Sequence, residues 1–194
     1  KKIFLNKKIK IIDIGANIGQ SIERFEKNFD DIEIYSIEPS KDAFKKLAEK
    51  NSFKKNVFLF NFALGEKKEK KNFYNYNNNV LSSLYKIDKK YSNNLDYNRK
   101  KIQVLSLDYF CKSQKLTNIN ILKIDTQGNE VKVLKGANKS LKKGIFDLIE
   151  LEIIMGNYYE NYSNFYSVEK FLIKNNYRIV ALDRKLNFFN DQKL

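Results

Sequence analysis

Short apolar runs alternate with amphipathic stretches along most of the chain, and this alternation constrains the fold more than any other feature. Ile9 to Ile14 (IKIIDI) ends in Gly and predicts a strand buried on both faces. Ile18, Ile22, Phe25 and Phe29 then form one helical stripe over Ile18 to Phe29. Ile32 to Ile37 (IEIYSI) predicts a second strand that stops at Glu38-Pro39. Ser40 is an N-cap for a helix over Lys41 to Lys50, whose Ala43, Phe44, Leu47 and Ala48 share a face. Val57 to Phe62 (VFLFNF) is a third strand, halted near Gly65. This βαβαβ order is the first half of a doubly wound α/β sheet.

The rhythm breaks over Glu66 to Lys101, a stretch rich in Lys, Asn and Tyr that is too long for an ordinary connection of ~2–6 residues. Short strands are expected at Lys70 to Tyr76 and Gln103 to Leu107. The insertion reads either as a substrate-side excursion or as a solvated loop. After a helix over Asp108 to Lys115 the pattern resumes: a strand at Ile119 to Ile124 (INILKI), a helix at Glu130 to Lys142 with Gly144 as its stop, and a strand at Phe146 to Ile153. A helix at Val168 to Asn175 and closing strands at Arg178 to Leu182 and Leu186 to Phe189 complete the reading. No repeat or linker divides the chain, so one domain over residues 1–194 is expected.

Composition removes several classes. There is no histidine, hence no His-based triad or imidazole base, and the single cysteine, Cys111, cannot form an internal disulfide. Cys111 reads as a small buried residue rather than a nucleophile. No apolar run reaches the ~18 residues of a membrane span, and the opening KKIFLNKKIKIID is broken by charge too early for a signal peptide; a cytoplasmic protein is expected. The net charge of +14 suggests nucleic acid, but only Arg24, Arg99, Arg178 and Arg184 among the 37 basic residues are arginine. Arginine is the better bidentate phosphate ligand, and the abundance of Lys, Asn, Ile, Phe and Tyr is what A/T-rich codons produce. Nucleic acid is therefore not the expected partner.

The chemistry concentrates where the first strand opens into the first helix, at Asp13-Ile14-Gly15-Ala16-Asn17-Ile18-Gly19. Glycines there admit close backbone approach, and a helix N-terminus offers free N–H groups. The G-x-G-x-x-G spacing of dinucleotide sites is missing: Gly15 and Gly19 are four apart. Asp13 suits a cation better than a pyrophosphate, and the sulfonium and amino group of S-adenosylmethionine fit. Glu38, 19 residues after Gly19 at the end of the second strand, is placed to accept from ribose hydroxyls. In Asn61-Phe62-Ala63-Leu64-Gly65, where a nucleobase would sit, Asn61 either reads the adenine edge or caps a turn. Gly15, Ala16, Asn17, Gly19, Glu38, Asn61 and Ala63, with Asp13, form the expected cofactor site.

The blocks IDIGANIGQ, EPS, NFALG, SSL (Ser82 to Leu84), VLSLDYF, LKIDTQGNE, VLKGA and ELE, in that order, resemble the FkbM family of S-adenosylmethionine-dependent methyltransferases. The resemblance implies a class I methyltransferase, Rossmann-like fold: a mostly parallel seven-stranded sheet with helices on both faces. It also implies methyl transfer to a hydroxyl of a sugar, glycan or natural product. By carry-over, Asp125 would end the fourth main strand beside the transferable methyl. Many members resemble KIDVEG there, whereas this chain has Asp125-Thr126-Gln127-Gly128; exchanging a carboxylate for an amide weakens any case for a tight divalent site. No metal ligand is assigned, although Asp125, Glu130, Glu150 and Glu152 keep oxygen ligands available. Without histidine the base must be Asp, Glu, Lys, Tyr or water: Asp125 first, Glu152 second, Lys123 or a Tyr after them. Glu150 and Glu152 equally suit ion pairs with the many lysines.

Three rivals remain. An RNA methyltransferase is kept open by the charge, though no NPPY or DPPY follows the fourth strand and Cys111 lies outside a PC context. A non-catalytic Rossmann-like module would bind the cofactor without turnover. A nicotinamide dehydrogenase has the wrong glycine spacing.

Overall fold

A computed structural model describes residues 8–92, 95–154 and 156–183. Five parallel strands form the central sheet: β1 (Ile9–Ile14), β2 (Ile32–Ile37), β3 (Val57–Phe60), β7 (Ile119–Ile124) and β8 (Phe146–Leu151), in the order β3-β2-β1-β7-β8. A second sheet, β4-β6-β5, is built from β4 (Ala63–Gly65), β5 (Glu69–Tyr76) and β6 (Tyr97–Ser106). All six residues of β7 are buried, as expected of a strand covered on both faces.

Alternation along β1 separates the two faces of the sheet. Ile9 and Ile11 pack with Ile22 and Phe25 of α1 (Gln20–Asn28) and Leu47 of α2 (Lys41–Asn51). Ile12 and Ile14 pack on the other side with Phe110 of α3 (Leu107–Ser113), Val133 and Leu134 of α4 (Glu130–Lys135), Leu141 of α5 (Asn138–Lys142) and Val168 of α6 (Phe165–Lys174). The chain is thus α/β and Rossmann-like, with helices on both faces. The first helix begins at Gln20 rather than Ile18, because Gly19 has φ 101°, outside the helical region. Ser40 caps α2 as expected, its side chain accepting from Ala43 N–H at 3.4 Å.

The sheet departs from expectation in strand number: five strands among the described residues, not seven. The expected closing strand at 178–182 is not formed, and Val180 and Leu182 are 79% and 77% exposed. The expected strand at 186–189 lies outside the described residues. Two other elements differ. The expected third strand, Val57 to Phe62, ends at Phe60, and Ala63–Gly65 beyond it forms a separate strand parallel to β6. The expected helix over 130–142 breaks at Gly136-Ala137, where a Cβ on Gly136 would lie 2.0 Å from the Gly65 carbonyl oxygen. The Gly136 carbonyl there accepts from Asp108 N–H, and Asp108 in turn accepts from Lys139 N–H and Ser140 N–H at the start of α5.

The Lys/Asn/Tyr-rich segment is largely ordered. β5 pairs with β6 over eight register positions, and a 3-10 turn, Asn79–Leu81, follows β5. β6 starts at Tyr97, well before the expected Gln103, because its first half is exposed and shows no apolar alternation.

Candidate active site

The carboxyl ends of β1, β2 and β7 bring most of the expected site residues together. Asp13 lies opposite Ser36 on β2 and opposite Lys123 on β7, and Lys123 lies opposite Glu150 on β8. This polar row crosses the sheet on the α1 side. Asp13 is fully buried, and Lys123 Nζ is 3.2 Å from its Oδ1 and 3.6 Å from Asp125 Oδ2. The Asp13 contact is an ion pair without hydrogen-bond alignment, since neither of its oxygens has a hydrogen-bond partner. Burial raises the Asp13 carboxyl above the usual range, against the pull of Lys123. Burial also works against the charge on Lys123, but Asp13 and Asp125 outweigh it and hold the ammonium above the usual lysine value. Arg24 of α1 closes the row on Glu150 at 2.6 Å, so Glu150 is engaged in an ion pair.

Gly15 serves backbone packing: at φ 81° a Cβ would lie 1.8 Å from the Asp125 carbonyl oxygen. The loop and the end of β7 touch only because no side chain separates them. Gly15 N–H and Ala16 N–H both donate to the Ile37 carbonyl, and Ala16 is buried in the core under α1. A Cβ on Gly19 would meet Asn51 and Leu47 of α2, so this glycine seats α1 against α2. Asn17, at φ 49°, turns its N–H onto Glu38 Oε2 at 2.9 Å. Glu38 Oε1 accepts from Ser40 N–H at 2.7 Å. Burial pushes the Glu38 carboxyl up to about 7 despite these two donors. The first N–H groups of α1 receive no side-chain cap. Asn61 donates to the Glu38 and Pro39 carbonyls, the turn-capping alternative for its amide nitrogen. Ala63 stands apart from this cluster, buried in β4 against β6.

Asp125 follows β7 with its side chain 23% exposed, its N–H bonded to the Ile14 carbonyl. Gln127 Nε2 donates to Asp125 Oδ1 at 2.9 Å, and Gln127 Oε1 lies 3.3 Å from the Tyr159 hydroxyl, which also donates to the Leu81 carbonyl at 2.9 Å. Glu152, just past β8, is exposed, and its N–H donates to the Ile124 carbonyl, one residue before Asp125. Glu130 folds the intervening loop: its Oε1 accepts from Thr126 N–H, Thr126 Oγ1 and Gly128 N–H. Cys111 is buried and its thiol is pushed up to about 12 by that burial, as suits a packing residue.

Several contributors were not visible in the sequence. Asn79 donates to Asn17 Oδ1 at 2.7 Å, and Asn75 bonds both Ser40 and Asp42, so the β5–β6 ribbon docks on the glycine loop and on α2. Ser83 Oγ donates to the Gln127 carbonyl, which gives the SSL block a clamping role. The pairing of Lys123 does have a signal in the sequence, since a lysine inside an otherwise buried strand requires a counter-charge. Among the described residues, no group of three or more His, Cys, Asp or Glu is placed to hold a metal ion, and no helix is long and apolar enough to cross a membrane.

The family model for the methyltransferase FkbM domain matches residues 13–179, from the buried Asp13 to the segment after α6. No curated protein and no solved structure matches the chain. The matched span contains the site residues described above, and the chain belongs to the FkbM methyltransferase family.

Proposed function

We propose that this methyltransferase uses S-adenosylmethionine and methylates a hydroxyl of a sugar, glycan or natural product. The observation that carries the reading is the convergence of the Asp13–Gly19 loop, Glu38 and Asp125 at the carboxyl end of one parallel sheet, where ligands of doubly wound folds bind. The donor set suits S-adenosylmethionine: a buried carboxylate, Glu38, for the ribose diol, and uncapped α1 N–H groups for a carboxylate. When bound, that cofactor supplies a methyl group on a sulfonium leaving group.

The chain's own residues then have two tasks, to align the acceptor and to take its proton. Asp125 is the proposed base, because Asp13 and Glu38 are buried and Glu150 is paired with Arg24, whereas Asp125 is partly exposed and Gln127 holds one of its oxygens. Lys123 is unsuited to that role: flanked by two carboxylates it keeps its proton. The buried Tyr159 hydroxyl is raised by burial and is spent on the Leu81 carbonyl. Glu152 is the second candidate. Asp13 acts indirectly, through Lys123, by fixing charge behind the loop.

Calorimetric titration with S-adenosylmethionine, S-adenosylhomocysteine and NAD tests the donor. Selective binding of the first two, weakened by Glu38→Ala, is expected; selective binding of NAD would sink the reading. With an acceptor in hand, Asp125→Asn should cut turnover far more than donor affinity, and near-intact turnover would remove Asp125 as the base.

A further inference from the structure

The β5–β6 ribbon carries a cationic strip that the proposed donor site does not use. Antiparallel register sets Tyr76 opposite Tyr97, Tyr74 opposite Arg99, Asn72 opposite Lys101 and Lys70 opposite Gln103. These eight residues share one face, with next-neighbour side chains about 7 Å apart along each strand. The face holds three cations and no acid. Lys70, Arg99 and Lys101 are exposed, and Lys86 extends the strip with its Nζ 5.5 Å from the Tyr97 ring centre. None of these four makes an ion pair among the described residues; the nearby Glu69, on the other face, is taken by Lys71, and Glu160 acts on Lys86 only at longer range. Like charges gathered on one ribbon face repel each other, and an external anion relieves that repulsion.

The Tyr76–Tyr97 end of the ribbon is joined to Asp125 through packed side chains. Tyr76 and Tyr159 pack on Ile87 in one core, the Tyr76 hydroxyl accepts from Ile87 N–H, and Tyr159 reaches Gln127, which holds Asp125. The strip's aromatic surface is already engaged: Tyr97 tilts against Tyr76 at 5.3 Å, meets Tyr74 edge-on at 5.5 Å and is covered by Lys86. That arrangement disfavours base stacking and leaves recognition to charge and hydroxyl contacts. We infer that the strip binds the methyl acceptor, and that the acceptor is a saccharide bearing acidic groups (carboxylate, sulfate or phosphate). The inference rests on the proposed methylation of a hydroxyl.

Calorimetry on the full chain at fixed salt tests it, using oligogalacturonate and a sulfated dextran oligosaccharide as anionic probes, with maltohexaose and oligouridylate as comparisons. Lys70→Gln/Arg99→Gln/Lys101→Gln removes the strip, and Lys27→Gln/Lys139→Gln/Lys143→Gln removes the same charge elsewhere. The expected result is binding of at least one anionic saccharide, weakened about tenfold or more by the strip substitutions and about twofold or less by the control set, with no binding of maltohexaose. Failure of both anionic saccharides, equal losses in the two triple variants, or tighter strip-dependent binding of oligouridylate would overturn it. Titration of the same proteins with S-adenosylmethionine separates the readings: loss of donor binding in the unaltered chain defeats the donor assignment, whereas failure confined to the saccharides defeats the strip.

Discussion

Lys123→Met tests the electrostatic arrangement behind the site. Asp13 is fully buried, accepts no hydrogen bond, and has Lys123 at 3.2 Å as its close counter-charge. Removing the ammonium strands a carboxylate in the sheet interior, and breaking a buried pair in this way costs about 3–5 kcal/mol. Against a total stability of roughly 5–15 kcal/mol that loss is severe, and for a chain of this size it lowers Tm by roughly 6–20 °C. The pH dependence has a definite sign. Burial already raises the Asp13 carboxyl above its unfolded value, and loss of Lys123 raises it further. Stability of the variant is therefore greatest at acid pH, where Asp13 takes a proton, and falls as pH rises. Asp13→Asn in the same background should recover most of the loss at pH 8, because a neutral amide needs no counter-charge. Urea unfolding followed by far-UV circular dichroism suits a chain without tryptophan. A loss under about 1 kcal/mol for Lys123→Met at pH 8, or a double variant as unstable as the sum of the single ones, would refute the reasoning.

Further outcomes follow from single contacts. Gly15→Ala, which places a methyl on the Asp125 carbonyl at a positive φ, should cost well over ~2 kcal/mol and is read from Tm; a near-native Tm would mean that the loop relaxes freely. Glu38, pushed up to about 7 from an ordinary 4.5, contributes stability that is full below pH 4.5 and lost as pH rises through 7, about 3 kcal/mol in all. Urea midpoints at pH 5 and pH 9 check this, and Glu38→Gln should flatten that part of the profile. The buried Cys111 thiol, at about 12, should resist a disulfide reagent at pH 8 until denaturant is added; prompt labelling of the native chain contradicts its burial.

What could be read in advance divides along a physical line. β1, β2 and β7 were legible because a strand covered on both faces is dominated by apolar residues. The acids that end them were legible because strand-end carboxylates interrupt those runs. Ser40 was legible because a cap obeys a local rule. The same apolar rule misled at the far end, where Ile179, Val180 and Leu182 suggested a strand yet stay exposed. It was blind to the first half of β6, whose exposed residues keep no period. The helix expected over 130–142 runs through Gly136, and the passage of Gly65 beside that glycine explains the break. The site divides likewise. Asp13 announced itself as a charge beside a glycine turn, but its partner is fixed by strand register, so a carboxylate expected to face a cationic ligand faces Lys123. The contacts that seat the ribbon, Asn79 on Asn17 and Ser83 on the Gln127 carbonyl, join residues 62 and 44 positions apart through single hydrogen bonds. A hydrogen bond imposes no repeat on the sequence around it, whereas burial of a face imposes one on every turn or pleat. The hydrophobic scaffold is therefore written many times over in such a chain, and the polar seam that completes the site is written once, in residues indistinguishable from a solvated loop.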